Sequence, residues 1–300
     1  MCLSNGSGKG CDACIPLHGQ FQQIPQYNGA QVSRLILTVL CASLLAGDAA
    51  GAQAADTISG KKPLFTLRDV LMAGGFTLAT IGLAPADRQL TRELQAPARQ
   101  SSRLYNRGAT FFRLFGNPGS MMTGAGLYLL GTANGQRRTQ DLGLHTVEAI
   151  VLGFGATGTI KILAGRARPR ISENDASKFQ LLRGLRGDDY QSFPSGHTTT
   201  AFAFAATVAS ETQRWWPRSR WIIGPIMYGG ATLTGASRIY NKAHWASDVM
   251  AGAAIGTFTG LKVVRYQHSH PDNYLDRKLL RAGLMHVNGG WIPTLSTVVY

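Results

Sequence analysis

The chain has 300 residues, of which 30 are Lys or Arg and 16 are Asp or Glu, so its formal net charge is +14 with histidine neutral. Charged residues make up 15% and the hydrophobic set 44%, which excludes a disordered or fibrous protein. The basic excess predicts an anionic partner: nucleic acid, an anionic membrane or a phosphorylated substrate. All four cysteines lie at or before position 41, so the rest of the chain has no disulfide or thiolate metal site.

The N-terminal segment has the pattern of an export signal. Residues 1–33 are polar and rich in glycine, and Arg34 then precedes an apolar run at 35–45 and a small-residue stretch at 46–55. A basic flank, a short apolar core and small residues are typical of a secretory signal. We therefore predict that residues 1–56 form a disordered head plus a signal peptide or N-terminal anchor. The protein is expected to be exported, either periplasmic or membrane-associated and facing the periplasm.

The remaining apolar stretches have the length of helices and no period-2 alternation, which predicts an all-α helical bundle. They lie at 70–84, 121–133, 147–163, 199–210, 221–236 and 249–264. Breaks are expected at Pro85, at 117–119 and in the polar loop 170–192. We expect a helical domain at 57–267 with its motif core at 161–248, and a tail at 268–300 that is a short strand or a docking segment. The stretches are short and polar enough for a soluble bundle but rich in the small residues of membrane helices, and the sequence leaves both open.

The first chemical cluster is the segment KILAGRARP at 161–169. Lys161 and Arg168 are seven residues apart, two helical turns, and are expected on nearly the same helix face. Pro169 is expected to end that helix. Two cations on one face are usually solvated, but a lysine within an otherwise apolar helix indicates an anion site.

The second cluster is the segment QSFPSGHT at 191–198, before a predicted helix. Ser195 and Thr198 are suited to the N-cap, and free backbone N–H groups at a helix start bind anions. Gly196 helps to shape the turn, and His197 can donate a proton to an anion bound there. An ordinary capped helix with an unrelated histidine is the competing interpretation.

The third cluster is the segment SRIYNKAHWASD at 237–248. Because His244 and Asp248 are four residues apart, they are expected to face each other across one helical turn. The carboxylate can accept the proton of one imidazole nitrogen and leave the other nitrogen as a nucleophile or base. Arg238 adds a guanidinium suited to phosphate oxygens. A metal pair is disfavoured because three cations would repel the ion, and we predict no metal and no cofactor.

Together the three clusters resemble the signature of the type 2 phosphatidic acid phosphatase superfamily, which includes class A acid phosphatases and vanadium haloperoxidases. The matching elements are Lys-x6-Arg-Pro at 161–169, Pro-Ser-Gly-His at 194–197 and Ser-Arg-x5-His-x3-Asp at 237–248. The resemblance covers roughly 147–264 and implies a helical bundle with the three clusters at one end. It also implies a metal-independent phosphatase acting on a phosphomonoester or pyrophosphate.

The resemblance assigns roles to the matching residues. His244 would attack phosphorus to form a phosphohistidine, and Asp248 would orient it. His197 would protonate the leaving oxygen and then activate water. The phosphoryl oxygens would be bound by Lys161, Arg168, Arg238, Ser195 and the Gly196 N–H. Because one histidine must be protonated and the other neutral, the rate is expected to follow an acidic-to-neutral bell in pH.

The substrate is not determined by these motifs. The basic, aromatic loop at 214–221 favours a membrane-lipid phosphate and contact with a membrane surface, whereas a mean hydropathy of −0.03 favours a soluble periplasmic acid phosphatase. A vanadate-dependent haloperoxidase is a lesser alternative, and a non-enzymatic basic scaffold a third. Nucleic acid is not expected as a partner, and the oligomeric state is unknown. His145 and Glu148 hint at a di-iron half-site, but only one copy exists, which favours a helix-surface or supporting role.

Overall fold

The computed structural model describes residues 64–270, residue 273 and the backbone of two short strands at 282–287 and 290–295. The predicted head, the signal or anchor at 1–56 and all four cysteines lie outside the described residues. The domain boundaries predicted for 57–267 and 268–300 therefore stay predictions.

The described part of the chain is a bundle of helices followed by a hairpin. The helices are α1 Leu67–Leu83, α2 Asp87–Leu94, α3 Pro97–Gln100, α4 Arg103–Leu114, α5 Ser120–Ala133, α6 Arg137–Ala164, α7 Gly196–Trp215, α8 Ile223–Tyr240 and α9 Ala246–Ser269. The strands β1 Ala282–Val287 and β2 Gly290–Leu295 pair antiparallel. The all-α class is confirmed, and the hairpin lies in the tail, where a short strand was one expectation.

The core forms around α7, most of whose residues are buried. Alanine and threonine on α7 let neighbouring helices approach closely, and glycines on α9 complete the fit. A Cβ on Gly256 would collide with the Thr199 carbonyl oxygen, and one on Gly260 would lie 2.7 Å from the Ala206 Cβ. The two helices therefore pack backbone against backbone, which fixes their relative position closely.

The chain direction brings the three sequence clusters to one end of the bundle. Helices α6 and α8 end there, whereas α7 and α9 begin there. We call this the site end and the opposite one the far end. The aromatic, basic segment at 214–221 begins with the last two residues of α7 and so lies at the far end, about 30 Å from the start of that 20-residue helix.

Three helices, α2, α3 and α4, were not predicted from the sequence, and α3 is a single turn of four residues. Helices α2 and α4 are rich in charged and polar residues, so neither forms an apolar stretch. Helix α6 also begins ten residues before the predicted start at 147, because its first turns are polar. The predicted break at 117–119 is confirmed: Asn117 has φ −157° and ψ 122° and interrupts the path between α4 and α5.

Gly252→Ala is expected to lower the free energy of unfolding by about 1–3 kcal/mol, the usual cost of overpacking. A Cβ at this position would lie 2.5 Å from the Ser195 carbonyl oxygen and 3.2 Å from the Thr198 Cβ. The matched control is Gly155→Ala on α6, where a Cβ meets nothing within 4 Å, and alanine there should be neutral or stabilising. Urea unfolding of both variants checks this, and equal stabilities would contradict it.

Candidate active site

Lys161 lies in the last turn of α6 and reaches over the start of α7. Its Nζ donates a hydrogen bond to the Gln191 carbonyl oxygen. A Cβ placed on Gly196 would lie 3.7 Å from the Lys161 Cε. The lysine and the predicted phosphate-binding turn are therefore adjacent, as the sequence predicted.

Helix α6 ends earlier than predicted, and Arg168 is not on it. The helix ends at Ala164, and Gly165 adopts a left-handed conformation with φ +55°. A side chain at Gly165 would also collide with the Gln180 carbonyl oxygen, so glycine is required there. The prediction of one helix face shared by Lys161 and Arg168 was wrong, because glycine and not Pro169 stops the helix.

Arg168 nonetheless reaches the site end from the segment after α6. It is 8% exposed, its Nε donates to the Asp188 carbonyl oxygen at 2.8 Å, and its Nη2 contacts the Asp188 carboxylate. The Asp188 side chain is 60% exposed. Arg168 is thus paired with a solvent-facing carboxylate that an incoming anion can replace.

Ser195 is the N-cap residue of α7, as predicted, but its side chain does not cap the helix. The Thr198 hydroxyl donates to the Ser195 Oγ at 2.8 Å. The first N–H groups of a helix have no intrahelical acceptor, and the side chain of Ser195 does not supply one. The N–H groups of Gly196 and His197 can therefore bind an anion at the positive end of the helix.

His244 precedes α9, which begins at Ala246, so the predicted face-to-face pair across one helical turn is wrong. The His244 Nδ1 lies 2.6 Å from the Ser192 carbonyl oxygen but 3.8 Å from the Asp248 Oδ2. A carbonyl oxygen only accepts hydrogen bonds, so Nδ1 carries the proton. The lone pair is therefore on Nε2, as predicted from the sequence. The acceptor of the Nδ1 proton, however, is the Ser192 carbonyl oxygen and not the predicted Asp248 carboxylate.

Asp248 instead joins the segments around His244. Its Oδ2 accepts hydrogen bonds from the Ser192 hydroxyl at 2.5 Å and from the Trp245 backbone N–H at 2.8 Å, and its Oδ1 is 2.5 Å from the Arg166 Nη1. The carboxylate is fully buried. It fixes the turn that carries the carbonyl acceptor, and so it orients His244 indirectly.

Arg166 and Asp87 belong to the same network and were missed by the sequence analysis. Arg166 Nη2 lies 2.7 Å from the Asp87 Oδ2, and Asp87 also accepts hydrogen bonds from the Ser247 backbone and hydroxyl. The guanidinium lies 4.9 Å from the ring centroid of Phe179. Arg166 lies within the first cluster, but nothing in the sequence indicates that Asp87, 79 residues earlier, pairs with it.

Among the described cations of the site end, Arg238 has buried donors that no acceptor uses. It is 7% exposed, and its Nε and Nη1 are buried with no hydrogen-bond partner among the described residues. Burial, together with the neighbouring Arg168 and Arg113, lowers its pKa to about 10. Arg113, at the end of α4, was not predicted because it lies outside the motif region. A buried guanidinium beside other cations is stabilised by an anion that supplies the missing acceptors.

Both histidines are neutral at pH 7 in this cation-rich environment. Burial and the charges of Arg238 and Arg113 lower the pKa of His197 to about 3. Burial also lowers the pKa of His244 to about 3, against the raising effect of Asp248. The site therefore combines two unprotonated imidazoles with unneutralised positive charge.

The two histidines and the buried cations around the open N-terminus of α7 form a site suited to binding an anion. Residues 142–271, somewhat less than half of the chain, match the model of the PAP2 superfamily. The matched region contains all eight site residues predicted from the sequence.

Two curated relatives are named as lipid phosphatases. A lipid A 1-phosphatase of Porphyromonas gingivalis is 47% identical over 88 residues, which cover 29% of this chain and 19% of the relative. An undecaprenyl-diphosphatase of Sulfolobus acidocaldarius is 28% identical over 143 residues, which cover 48% of this chain and 64% of the relative. The match thus spans less than two thirds of either relative's length.

Among solved structures, the LpxE protein of Aquifex aeolicus is similar at 26% identity with a TM-score of 0.45. The similarity covers 60% of this chain and 96% of that one.

Proposed function

We propose that this protein is a metal-independent phosphatase that hydrolyses a membrane-lipid phosphate, as a phosphomonoester or pyrophosphate, through a phosphohistidine. The observation that carries the proposal is the buried guanidinium of Arg238 beside the open start of α7. Two of its nitrogens have no hydrogen-bond partner among the described residues. Phosphoryl transfer depends mainly on positioning and on positive charge around the equatorial oxygens. Lys161, Arg168 and Arg238 supply that charge, with Ser195 and the Gly196 N–H beside them.

In the first step, the His244 Nε2 lone pair attacks phosphorus. The N–P bond forms as the bond from phosphorus to the leaving oxygen breaks. Bound phosphate neutralises the cations beside His197 and raises its pKa, so His197 takes up a proton from solvent or from the phosphate monoanion. It then donates that proton to the leaving oxygen, which departs as an alcohol or as a phosphate. The proton on His244 Nδ1 stays hydrogen-bonded to the Ser192 carbonyl, which stabilises the positive charge that develops on the imidazole.

In the second step, His197 is neutral and acts as a base. It takes a proton from water while the water oxygen attacks phosphorus, and the N–P bond breaks. Inorganic phosphate leaves, His244 is again neutral with its lone pair on Nε2, and His197 is again protonated for the next substrate or loses that proton to solvent.

A lipid substrate is supported by the apolar exterior of the bundle. Large apolar side chains are exposed on several helices, among them Val70, Leu71, Leu78, Ile81, Phe111, Leu129, Leu130, Val151, Leu152, Phe154, Trp221, Ile222 and Ile226. Two stretches among the described residues, Leu67–Leu94 and Arg137–Ala164, are long and apolar enough to cross a membrane. Only 17% and 22% of the apolar 18-residue segment within each is buried in the bundle. Soluble monomers rarely expose apolar surface on this scale, and the names of the relatives point to lipid phosphates.

The first experiment compares phosphate release from p-nitrophenyl phosphate and from a short-chain phosphatidic acid in excess EDTA. Wild-type protein is expected to release phosphate in EDTA and to prefer the lipid, whereas His244→Ala is expected to release none. A preference for the soluble ester would favour the acid phosphatase alternative. Activity that disappears in EDTA and returns with metal would contradict the proposed chemistry.

Carbonate washing of membranes tests the lipid environment separately. The exposed apolar helices are expected to keep the protein in the membrane pellet at high pH. Complete extraction into the soluble fraction would remove the integral-membrane form of the proposal and leave the chemistry of the site unaffected.

The pH dependence is expected to differ between kcat/KM and kcat. In the free enzyme the pKa of His197 is lowered to about 3, below the usual histidine value of about 6.5. The alkaline limb of kcat/KM, where His197 loses the proton that it donates, is therefore expected on the acid side of pH 6.5. A bound phosphate neutralises the neighbouring cations and raises the pKa of His197, so the alkaline limb of kcat lies at higher pH. Full pH profiles are measured with two aryl phosphates that differ in the second pKa of the phosphate group. A limb that moves with this pKa belongs to the ionisation of the substrate. Coincident limbs in kcat and kcat/KM would contradict this.

A further inference from the structure

A second cluster of ionisable side chains lies at the far end of the bundle, away from the catalytic histidines. His145 on α6, Glu211 on α7 and His268 on α9 meet there. The His145 Nδ1 is 2.6 Å from the Glu211 Oε1, and the His268 Nε2 is 2.9 Å and 3.0 Å from the two Glu211 oxygens. The Glu211 side chain is fully buried, and those of His145 and His268 are 2% and 25% exposed.

The geometry fits a small divalent ion. One ligand atom from each residue lies within 4.8 Å of the other two. An ion bound at about 2.0–2.1 Å from each of its ligands in a tetrahedron separates those atoms by roughly 3.3 Å, so a small outward movement of the side chains suffices. Two imidazoles and one carboxylate form a ligand set that suits zinc and similar borderline ions, and the fourth position is left to water.

The surroundings favour a cation and provide a route to it. Asp141 lies four residues before His145 on α6, one turn away, and it adds negative charge close to the cluster. Arg137 pairs with Asp141 at 2.8 Å and is the basic residue that faces this carboxylate. His268 is the exposed member, so solvent reaches the cluster on its side.

We propose that His145, Glu211 and His268 form a binding site for one divalent transition-metal ion, with zinc the best match. The ion would take the place of the proton between each imidazole and Glu211. A neutral imidazole moves that proton to its other ring nitrogen, and a protonated one releases it to solvent. Bound there, it joins α6, α7 and α9, the same three helices that carry Lys161, His197 and Asp248 at the site end. It takes no part in phosphate chemistry, so this inference does not depend on the proposed function.

Cys11 and Cys14 near the start of the chain form a Cys-x-x-Cys motif that could bind zinc independently. The test therefore measures zinc binding by the full-length protein in a Cys11→Ser, Cys14→Ser background, which removes this competing site. The unmutated cluster is expected to bind one equivalent of Zn²⁺ and to gain about 5 °C or more in Tm at saturating zinc. His268→Ala is expected to lose that equivalent and that gain. The matched control is His270→Ala, two residues away, whose ring stacks on Tyr266 rather than joining the cluster. His270→Ala should keep both the bound zinc equivalent and the gain in Tm.

Two further measurements keep the test decisive if His268→Ala folds poorly. Glu211→Gln preserves the shape of the side chain and should still lose the zinc equivalent. Co²⁺ added to the protein with the intact cluster should produce visible d–d absorption of a nitrogen- and oxygen-ligated ion, with no sulfur charge-transfer band. The proposal is overturned if the intact cluster binds no more zinc than Glu211→Gln, or if His270→Ala loses as much as His268→Ala.

Discussion

His197→Ala is expected to lower kcat by about 10³-fold for an alkyl phosphate, within the usual range for losing a general acid. An alkoxide is a poor leaving group and requires the proton that His197 donates. With p-nitrophenyl phosphate the leaving phenolate is stable without a proton, so the first step should survive. The same variant cannot activate water efficiently, and the phosphohistidine should accumulate.

The measurement is a rapid-mixing experiment with p-nitrophenyl phosphate. His197→Ala should release a burst of about one p-nitrophenolate per active site and then turn over slowly, the kinetic signature of a covalent intermediate. His244→Ala is the control and should show no burst, because the nucleophile is absent. If both variants behave alike, the separate roles of the two histidines are wrong.

Arg166→Met is expected to destabilise the protein by about 3–5 kcal/mol, the usual cost of breaking a buried ion pair from one side. The guanidinium bridges Asp87 and Asp248, and its side chain is 4% exposed. Without it, two buried carboxylates face each other with no cation between them. The turn that positions His244 should loosen, so kcat is expected to fall as well.

Two comparisons make this prediction specific. Adding Asp87→Asn to Arg166→Met removes one of the two repelling charges and should recover part of the lost stability. Lys242→Ala breaks an exposed pair with Glu173 at 2.8 Å and should cost less than about 1 kcal/mol. Denaturant unfolding of the four proteins measures the differences. An Arg166→Met variant as stable as Lys242→Ala would refute the bridging role.

Much of the site follows from local sequence patterns. The start of α7 is signalled by Ser195 and Gly196, and the structure places that turn beside Lys161. Arg238 lies in the last turn of a helix that the apolar pattern indicates. These predictions succeed because each depends on a few neighbouring residues and on the direction of one helix.

The missed features are those that depend on contacts between distant segments. The acceptor for His244 is a backbone carbonyl 52 residues earlier in the chain, and a carbonyl leaves no trace in residue identities. Asp87 and Arg113 lie before the motif region, and only the packing of α2 and α4 brings them to the site. Gly165, in its left-handed conformation, ends α6 before Pro169 is reached. Arg168 therefore lies in the segment after the helix and not on the helix face where it was predicted.

The hydrogen bond from His244 to the Ser192 carbonyl determines how substitutions at position 192 affect the site. A side-chain acceptor can be deleted by one codon change, but every amino acid supplies a carbonyl oxygen. Mutations at position 192 therefore leave the histidine its acceptor and act through Asp248, which loses the Ser192 hydroxyl. Substitutions at this position are therefore expected to cause graded losses of activity and to leave the tautomer of His244 unchanged.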